Sequence, residues 1–330
     1  MKLDNRTAFA AEMLPLQGPE DRPLLVVVVK ATFDLSVAPA VRPAAEMLPV
    51  AFGDELVETE RGPLTRWEAD IAPPKPCTDV LVTGRACAPR GKKVPSLDVR
   101  VRVGPVDKTL RVFGAREWRG RFGGDPSPGE PAPFAEAAID WTHAFGGGQC
   151  PENPLGVGFF AEKTKKKEVE GTPLPAVEDP AQPIRRWQDH PPPAGFGCVG
   201  RGWPPRLARL GTYDERWQQE RAPALPLDFS FRSYNAAPDD QQVEGYLRGD
   251  EAVEVTNLTR DGRLAFRLPG IRPAVSVLRR NSPRIISLVM NLDTVGLRLE
   301  EQRLALVWRG GLEIPALDDS GVAEVVVGEG

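Results

Sequence analysis

Residues able to act as nucleophiles, bases or metal ligands are scarce in this chain, which contains two histidines and four cysteines among 330 residues. The best combination is Cys150 with His143 and Asp140, which supplies a thiol, a base and an orienting carboxylate. Such triads are assembled in space, so a Cys–His hydrolase stays open as a hypothesis. No nucleophile-elbow motif occurs. A small buried thiol near a histidine that hydrogen-bonds in a turn is the simpler interpretation.

The spacing of potential ligands does not predict a metal site. His143 and His190 are 47 positions apart, and Cys77 and Cys87 are ten apart, so the ligands include no close CxxC-type or HxxxH-type pair. A zinc site needs about three or four Cys, His or carboxylate ligands, normally with such a pair. We therefore expect no metal and no other cofactor, and we assign no catalytic residue.

Residues 195–200 match the GxGxxG spacing of a dinucleotide-binding loop. That loop requires a strand before it and a helix after it, whose first N–H groups meet the pyrophosphate. Here three prolines at residues 191–193 precede the motif, and Gly202, Pro204 and Pro205 follow it. Prolines cannot supply a hydrogen-bonded strand, and the residues that follow oppose a helix. The sequence therefore does not predict dinucleotide binding.

Charge and hydropathy limit the classes of partner. The net charge is −4 with acidic and basic residues interspersed, which lacks the basic footprint of a nucleic-acid-binding protein. The longest apolar run, residues 24–29, is too short to span a bilayer. Asp4 and Glu12 interrupt the N-terminal segment, which therefore does not resemble a signal peptide. We expect a cytoplasmic protein with free thiols that binds neither nucleic acid nor membrane.

The N-terminal third, residues 1–119, shows strand patterns. Residues 23–35 form a continuous β-branched run, which predicts a strand buried on both faces. A second strand is expected at residues 79–84. Residues 97–103 alternate apolar and polar side chains, as residues 108–113 do after a short break, which predicts a hairpin.

The middle of the chain, residues 120–245, is rich in glycine, proline and tryptophan and has weak hydrophobic periodicity. Aromatic residues at this density do not suit a disordered linker. The composition predicts a long region of ordered loops held by aromatic anchors. It also predicts a charged tip at residues 162–168 and a short helix around residues 204–217.

The C-terminal third, residues 246–330, returns to β patterning. Strands are expected at residues 251–256, 263–268, 274–278, 284–292, 296–299 and 303–308, with turns at residues 257–262 and 300–302. Short strands at intervals of roughly ten residues favour antiparallel sheets packed as a sandwich or a partly closed barrel. We therefore predict a mainly β fold with few short helices, organised as one domain over residues 1–330.

A series of specific strings runs through the middle and C-terminal parts. They include DWTHAFGG (140–147), NPLGVGF (153–159), YDERW (213–217), PLDF (226–229), YNAAPDDQQ (234–242), LRGDE (247–251), LPG (268–270), LDT (292–294) and VWRG (307–310). In this order and spacing they resemble the bacterial family labelled "domain of unknown function 2169". The N-terminal string VVVKATFDL fits as well, so the resemblance extends over essentially the whole chain.

The resemblance implies a role in type VI secretion. Members of that family are associated with adaptors or chaperones that bind a toxic effector protein, often one with a PAAR spike tip, and help to load it onto the VgrG spike. It implies a protein-binding function without enzymatic activity. Two alternatives to the adaptor function stay open. One is a structural component that stays in the secreted spike, and the other is the Cys–His hydrolase.

The motif positions are the candidates for partner binding, because loops carry function on β frames and tryptophan, tyrosine and arginine dominate interface energetics. The candidates are Asp140, Trp141, His143, Phe145, Asn153, Tyr213, Asp214, Trp217, Tyr234, Asp240 and Gln241. The competing interpretation is that aromatic residues such as Trp141, Phe145, Trp217 and Phe229 pack the loops onto the sheets. For each aromatic residue taken singly, we favour packing.

Overall fold

The computed structural model describes residues 1–120 and 124–329, so residues 121–123 of the predicted loop region and residue 330 lie outside it. The protein is mainly β, with several antiparallel sheets and few short helices, which confirms the predicted fold class. The described strands do not close into a barrel. Strands from the N-terminal and C-terminal thirds share the same sheets, so the two ends of the sequence build common layers.

The largest sheet has seven strands and combines distant parts of the sequence. In spatial order these are Gln242–Glu244, Cys77–Thr83, Asn291–Arg298, Arg303–Glu313, Pro23–Asp34 and Ala10–Gln17, with Arg42–Pro43 paired to the end of Pro23–Asp34. Cys77–Thr83 and Asn291–Arg298 run parallel, whereas the other neighbours are antiparallel. The parallel pair is possible because a long connection separates these two strands in the sequence.

The central strand Pro23–Asp34 is buried on both faces, as its β-branched run predicts. Val27 and Val29 point into the main hydrophobic core. Val26 and Val28 point to the opposite face, where a smaller cluster covers them. The strand therefore lies inside the large sheet and is packed on both faces.

A five-stranded antiparallel sheet supplies another wall of the main core. Its order is Val177–Glu178, Val106–Phe113, Ser96–Val103, Ala252–Thr256 and Arg263–Arg267. Val99, Val101 and Val103 are buried and the residues between them are exposed, so the predicted alternation is confirmed. The predicted hairpin with the following strand is also confirmed.

A four-stranded sheet, here called the terminal sheet, contains the first and last strands of the sequence. Its order is Lys2–Asn5, Val322–Glu329, Pro273–Arg279 and Ile285–Leu288, with the first pair parallel and the others antiparallel. The predicted division into strands 284–292 and 296–299 is wrong, because the first strand ends at Leu288 and Asn291–Arg298 is continuous. The break falls at residues 289–290, where the chain leaves the terminal sheet and enters the large sheet.

Two-stranded ribbons and short helices make up the rest of the secondary structure of the described residues. The ribbons are Glu55–Thr59 with Gly62–Trp67, Arg85–Cys87 with Glu136–Ala138, Trp118–Arg119 with Ser127–Pro128, and Phe145–Gly146 with Val157–Gly158. The α-helices are Lys166–Val169 and Glu215–Glu220, and the 3-10 helices are Pro19–Asp21, Pro89–Gly91, Trp141–His143, Leu207–Leu210, Phe231–Tyr234 and Asp239–Gln241. The helix predicted around residues 204–217 is divided in two, because Gly211 adopts a positive φ of 80° between the two segments.

The four cysteines are free thiols, as predicted, and all four are buried. Each lies in or beside a strand or an ordered loop, and none of the four forms a disulfide. No helix within residues 1–120 or 124–329 combines the length and the apolar character needed to cross a membrane.

Candidate protein-binding surface

The glycine-rich motif in the middle of the chain is organised around a buried asparagine. The side chain of Asn153 donates hydrogen bonds to the carbonyl oxygens of Trp141 at 2.8 Å and Phe145 at 3.0 Å. Gly146 and Gly156 approach Asn153 so closely that a Cβ at either position would collide with it. The two sides of the motif also pair as short parallel strands. The two motif strings that contain these residues therefore fold as one interlocked loop.

Trp141 and Phe145, two of the candidate aromatic residues, are buried. Trp141 belongs to the main core and contacts Trp203 edge to face, with ring centroids 5.9 Å apart. Phe145 packs in a separate cluster with Trp118 and Cys150. In this conformation both candidates stabilise loops and neither is accessible to a partner.

The candidate triad residues make separate contacts. Cys150 Sγ is buried and donates to Glu152 Oε2 at 3.4 Å, whereas His143 Nδ1 donates to Asp140 Oδ1 at 3.0 Å. Burial raises the pKa of the Cys150 thiol, which opposes the thiolate form. Burial favours the neutral form of Asp140, but hydrogen bonds from His143 and Thr142 outweigh it and lower the pKa. Within the described residues no hydrogen bond joins Cys150 to His143, so these contacts do not support the hydrolase hypothesis.

Asp79 is the centre around which a second motif folds. This fully buried carboxylate accepts hydrogen bonds from Asn235 Nδ2 at 3.0 Å and from the N–H groups of Ala236 at 2.9 Å and Ala237 at 3.2 Å. Lys75 Nζ lies 2.9 Å from the carboxylate and compensates its charge. A buried charge is tolerated only when it is paired and hydrogen-bonded. These contacts therefore hold the loop firmly on the large sheet.

Gln241 and Asp240, neighbours in the same motif, differ in their accessibility. Gln241 is buried, and its Nε2 donates to the carbonyl oxygens of Val80 at 2.7 Å and Phe196 at 3.0 Å. Asp240 is exposed and pairs with Lys108 Nζ at 2.9 Å. Burial lowers the pKa of Lys108, although Asp240 opposes this shift. Asp240 thus stays on the surface, while Gln241 holds the loop from inside.

Arg206 anchors the segment that follows these loops. Its buried guanidinium donates to Glu68 Oε1 at 2.6 Å and Oε2 at 3.1 Å, and to the carbonyl oxygens of Val199 and Ser233. The planar fork of an arginine suits this kind of multidentate contact. One side chain therefore fixes both ends of the segment between residues 199 and 233.

The anchored segment and the residue that follows it carry apolar and aromatic side chains that reach solvent, here called the aromatic surface. It consists of Leu207, Tyr213, Trp217, Leu227, Phe229, Phe231 and Tyr234. Leu227 is 87% exposed, Tyr213 52% and Leu207 49%, whereas the other four are half-buried. Exposed apolar side chains that occur as a group, unlike single ones, mark interaction sites.

Ring contacts and hydrogen bonds hold the aromatic surface together. Tyr213 and Trp217 meet edge to face with centroids 4.7 Å apart, and Trp217 Nε1 donates to the carbonyl oxygen of Ala224 at 2.8 Å. Thr212 Oγ1 donates to Asp228 Oδ2 at 2.8 Å, which joins the two halves of the segment. These contacts therefore hold the Tyr213–Trp217 half beside the half that carries Leu227 and Phe229.

The second aromatic group of this surface is centred on Tyr234. The rings of Phe229 and Phe231 lie with their centroids 6.0 Å and 5.9 Å from that of Tyr234. Burial raises the pKa of the Tyr234 hydroxyl, so the ring is neutral at physiological pH. Ion pairs flank the group in the sequence, namely Arg209 with Asp239 at 2.7 Å and Arg232 with Glu244 at 3.2 Å. An apolar centre with a charged rim is the composition of protein interfaces.

Four of the candidate residues lie in or beside the aromatic surface. Tyr213, Trp217 and Tyr234 are part of it, and Asp214 caps the helix Glu215–Glu220 by accepting a hydrogen bond from the N–H of Trp217 at 2.8 Å. The remaining candidates are either buried, as described for Trp141, Phe145, Asn153 and Gln241, or lie elsewhere on the loops, as Asp140, His143 and Asp240 do.

Several residues that build the site are not among the candidates chosen from the sequence. Asp79 offers a sequence signal, because a carboxylate inside a buried strand must have buried partners. Arg206 offers a weaker signal. Leu227 lies within the motif string PLDF, but nothing in the string indicates its exposure, which depends on the tertiary structure.

Together these features define a β-sheet scaffold that carries firmly held loops and presents an apolar surface on them. The family model described as "Uncharacterized protein conserved in bacteria (DUF2169)" matches residues 20–309, and the chain belongs to this family. No curated protein and no solved structure matches the chain.

Proposed function

We propose that the protein is an adaptor or chaperone that binds a toxic effector of a type VI secretion system and assists its loading onto the VgrG spike. The effector would be one linked to a PAAR domain, and binding would be non-covalent, without a cofactor, and in the cytoplasm. The motif strings, which resemble those of such adaptors, suggest this class of protein. The observation that carries the proposal is the aromatic surface, where Tyr213 and Leu227 project from an ordered loop region.

The way the aromatic surface is held favours binding of a folded partner. Association costs conformational entropy wherever interface side chains must become ordered. Here Arg206 holds the segment through Glu68 and the carbonyl oxygen of Ser233. Hydrogen bonds from Thr212 to Asp228 join the two halves of the segment. Tyrosine and tryptophan contribute large contact areas with few rotatable bonds, which is why they dominate interface energetics.

Co-expression and affinity purification test the proposal. The full chain is produced together with each toxic effector and each VgrG protein of the same bacterium, and we expect one effector to co-purify. The double variant Leu227→Asp with Tyr213→Asp should reduce capture about tenfold or more, because it places charges at the centre of an apolar interface. The matched control is Leu317→Asp, since Leu317 is also exposed but lies outside the aromatic surface.

Two results contradict the proposal. In the first, no effector co-purifies and deletion of the gene leaves effector solubility and secretion unchanged. In the second, an effector binds but the double variant captures as much of it as the control does, which removes the aromatic surface from the interaction. Secretion of the protein together with the effector would instead assign it to the spike itself.

A further inference from the structure

One edge strand of the terminal sheet carries apolar side chains that face solvent. Along Ile285–Leu288 and into Val289 the side chains alternate, and Ile286 and Leu288 pack against the main core. Ile285 and Val289 point the other way and are 70% and 75% exposed. These two apolar side chains therefore lie on the open face of the strand, with the exposed Ser287 between them.

The backbone of this strand is also open. It pairs with Pro273–Arg279 on one side, and no strand within residues 1–120 or 124–329 pairs with its other side. An unpaired strand presents a row of free N–H and C=O groups, which is a template for pairing with another chain. Natural proteins normally protect such edges with charged residues, prolines or bulges.

The opposite edge of the same sheet is protected in this way. Its strand, Lys2–Asn5, has Lys2 paired with Glu324 at 2.8 Å, and Asp4 accepts a hydrogen bond from Arg6 at 2.8 Å. The first edge strand therefore carries charged side chains, whereas the exposed side chains of Ile285–Leu288 are those of Ile285 and Ser287, which are uncharged. The difference between the two edges points to a docking role for the second.

Basic residues lie at both ends of the open edge. Arg284 immediately precedes the strand, and Arg272 precedes Pro273–Arg279, whose antiparallel pairing places it near the far end of the edge. Arg280 is paired with Asp319, whereas the exposed Arg272 and Arg284 make no ion pair with the rest of the described residues. A ligand with a carboxylate at each end would meet a cation at each end.

We propose that the edge Ile285–Leu288 binds an extended segment of a partner protein, which adds to the terminal sheet as a fifth strand. The segment has apolar side chains at alternate positions, which pack on Ile285 and Val289, and an acidic residue near each end, which pairs with Arg284 and Arg272. Main-chain hydrogen bonds supply affinity and the alternate side chains supply specificity, as in other cases of strand addition. The inference rests on the proposed function only for the identity of the partner, which is the effector.

The test uses a defined probe and the full chain. The probe is a fluorescent nine-residue peptide that alternates valine and threonine and carries an aspartate at each end. We expect it to bind with a Kd that fluorescence anisotropy can measure, and to slow amide hydrogen exchange at residues 285–288. Replacing the terminal aspartates with lysine should weaken binding about tenfold, because each end then faces a like charge.

Two variants and one control locate the binding site. Ile285→Lys and Val289→Lys should each weaken binding about tenfold or more, since a charge on an edge strand opposes strand addition. Both side chains are exposed, so the fold should tolerate the changes. The control is Val57→Lys, because Val57 is an exposed apolar residue on the edge strand Glu55–Thr59, whose neighbouring carboxylates do not suit an acidic-ended peptide.

The outcomes separate this inference from the proposed function. Peptide binding without protection of residues 285–288, or binding that Val289→Lys leaves unchanged, overturns the inference. A dimer in sedimentation analysis that Ile285→Lys converts to a monomer also overturns it, because the occupant is then a second copy of the chain. If the peptide binds as expected while no effector co-purifies, the edge site stands and the proposed function fails.

Discussion

Arg206 and Glu68 form a two-point ion pair beneath the aromatic surface, with Nη1–Oε1 and Nη2–Oε2 distances of 2.6 and 3.1 Å. Arg206 lies in the loop region, whereas Glu68 directly follows the ribbon strand Gly62–Trp67, 138 positions away in the sequence. Both side chains are largely buried. The pair therefore ties the segment that carries the candidate binding surface to the β scaffold through a buried contact.

Replacing Arg206 should destabilise the protein strongly. Arg206→Leu removes the two-point partner of the buried Glu68 carboxylate, which keeps only Arg201 at 3.3 Å, and it leaves two carbonyl oxygens without their donor. Removing one member of a buried pair costs about 3–5 kcal/mol. Urea unfolding monitored by tryptophan fluorescence measures the loss. The control is Arg216→Leu, which breaks the exposed Arg216–Glu220 pair and should change stability by at most about 0.5 kcal/mol. Equal effects of the two substitutions would contradict this account of the anchor.

Removing the amide of Asn153 should loosen the glycine-rich motif. Asn153→Ala leaves the carbonyl oxygen of Phe145 without a donor and leaves that of Trp141 with only the N–H of Ala144 at 3.3 Å. A buried polar group without a partner costs about 1–3 kcal/mol. Hydrogen exchange should show faster opening of residues 144–158. Asn281→Ala is the control, because Asn281 lies in an exposed turn and should matter by at most about 0.5 kcal/mol. Unchanged exchange in the first variant would show that the amide does not hold the loop.

Much of the fold follows from local patterns in the sequence. The strand Pro23–Asp34 and the hairpin of Ser96–Val103 are predicted because a β-branched run and a period-two alternation each specify a strand without long-range information. The strands Ala10–Gln17 and Val322–Glu329 are not predicted. Their interrupted or uniform patterns depend on pairing with distant neighbours. The break after Leu288 is missed for the same reason. The chain passes there from the terminal sheet to the large sheet, and only the tertiary structure determines this.

The candidate site is less predictable than the fold. Motif strings identify the segments, yet they cannot distinguish a buried aromatic residue such as Trp141 from an exposed one such as Tyr213. Exposure is decided by which loop covers which sheet, and here that depends on buried charges such as Asp79 and Arg206. A buried charge has partners far away in the sequence, so only the structure shows what it holds.

A methyl group at Gly146 should disrupt the motif, whereas one at Gly148 should not. Gly146 has a φ of +155°, and a Cβ there would collide with the carbonyl oxygen of Asn153. Gly146→Ala should therefore cost about 1–3 kcal/mol. No atom lies within 4 Å of a Cβ at Gly148, so Gly148→Ala should be neutral within about 0.5 kcal/mol. Thermal unfolding of the two variants tests this difference. Equal Tm values would contradict the close approach of Gly146 to the Asn153 carbonyl oxygen.

Alkaline pH should destabilise the protein through Cys198. Burial raises the pKa of this thiol from its ordinary 9.0 to about 12. Above about pH 9 the thiol ionises in the unfolded chain but stays protonated in the folded one. Stability is therefore lost as pH rises between about 9 and 12, by up to about 1.4 kcal/mol per pH unit. The protein should lose more stability from pH 9 to 10 than its Cys198→Ala variant does in urea unfolding. Native Cys198 should also react with iodoacetamide far more slowly than free cysteine at pH 9, and labelling at the free rate would contradict the raised pKa.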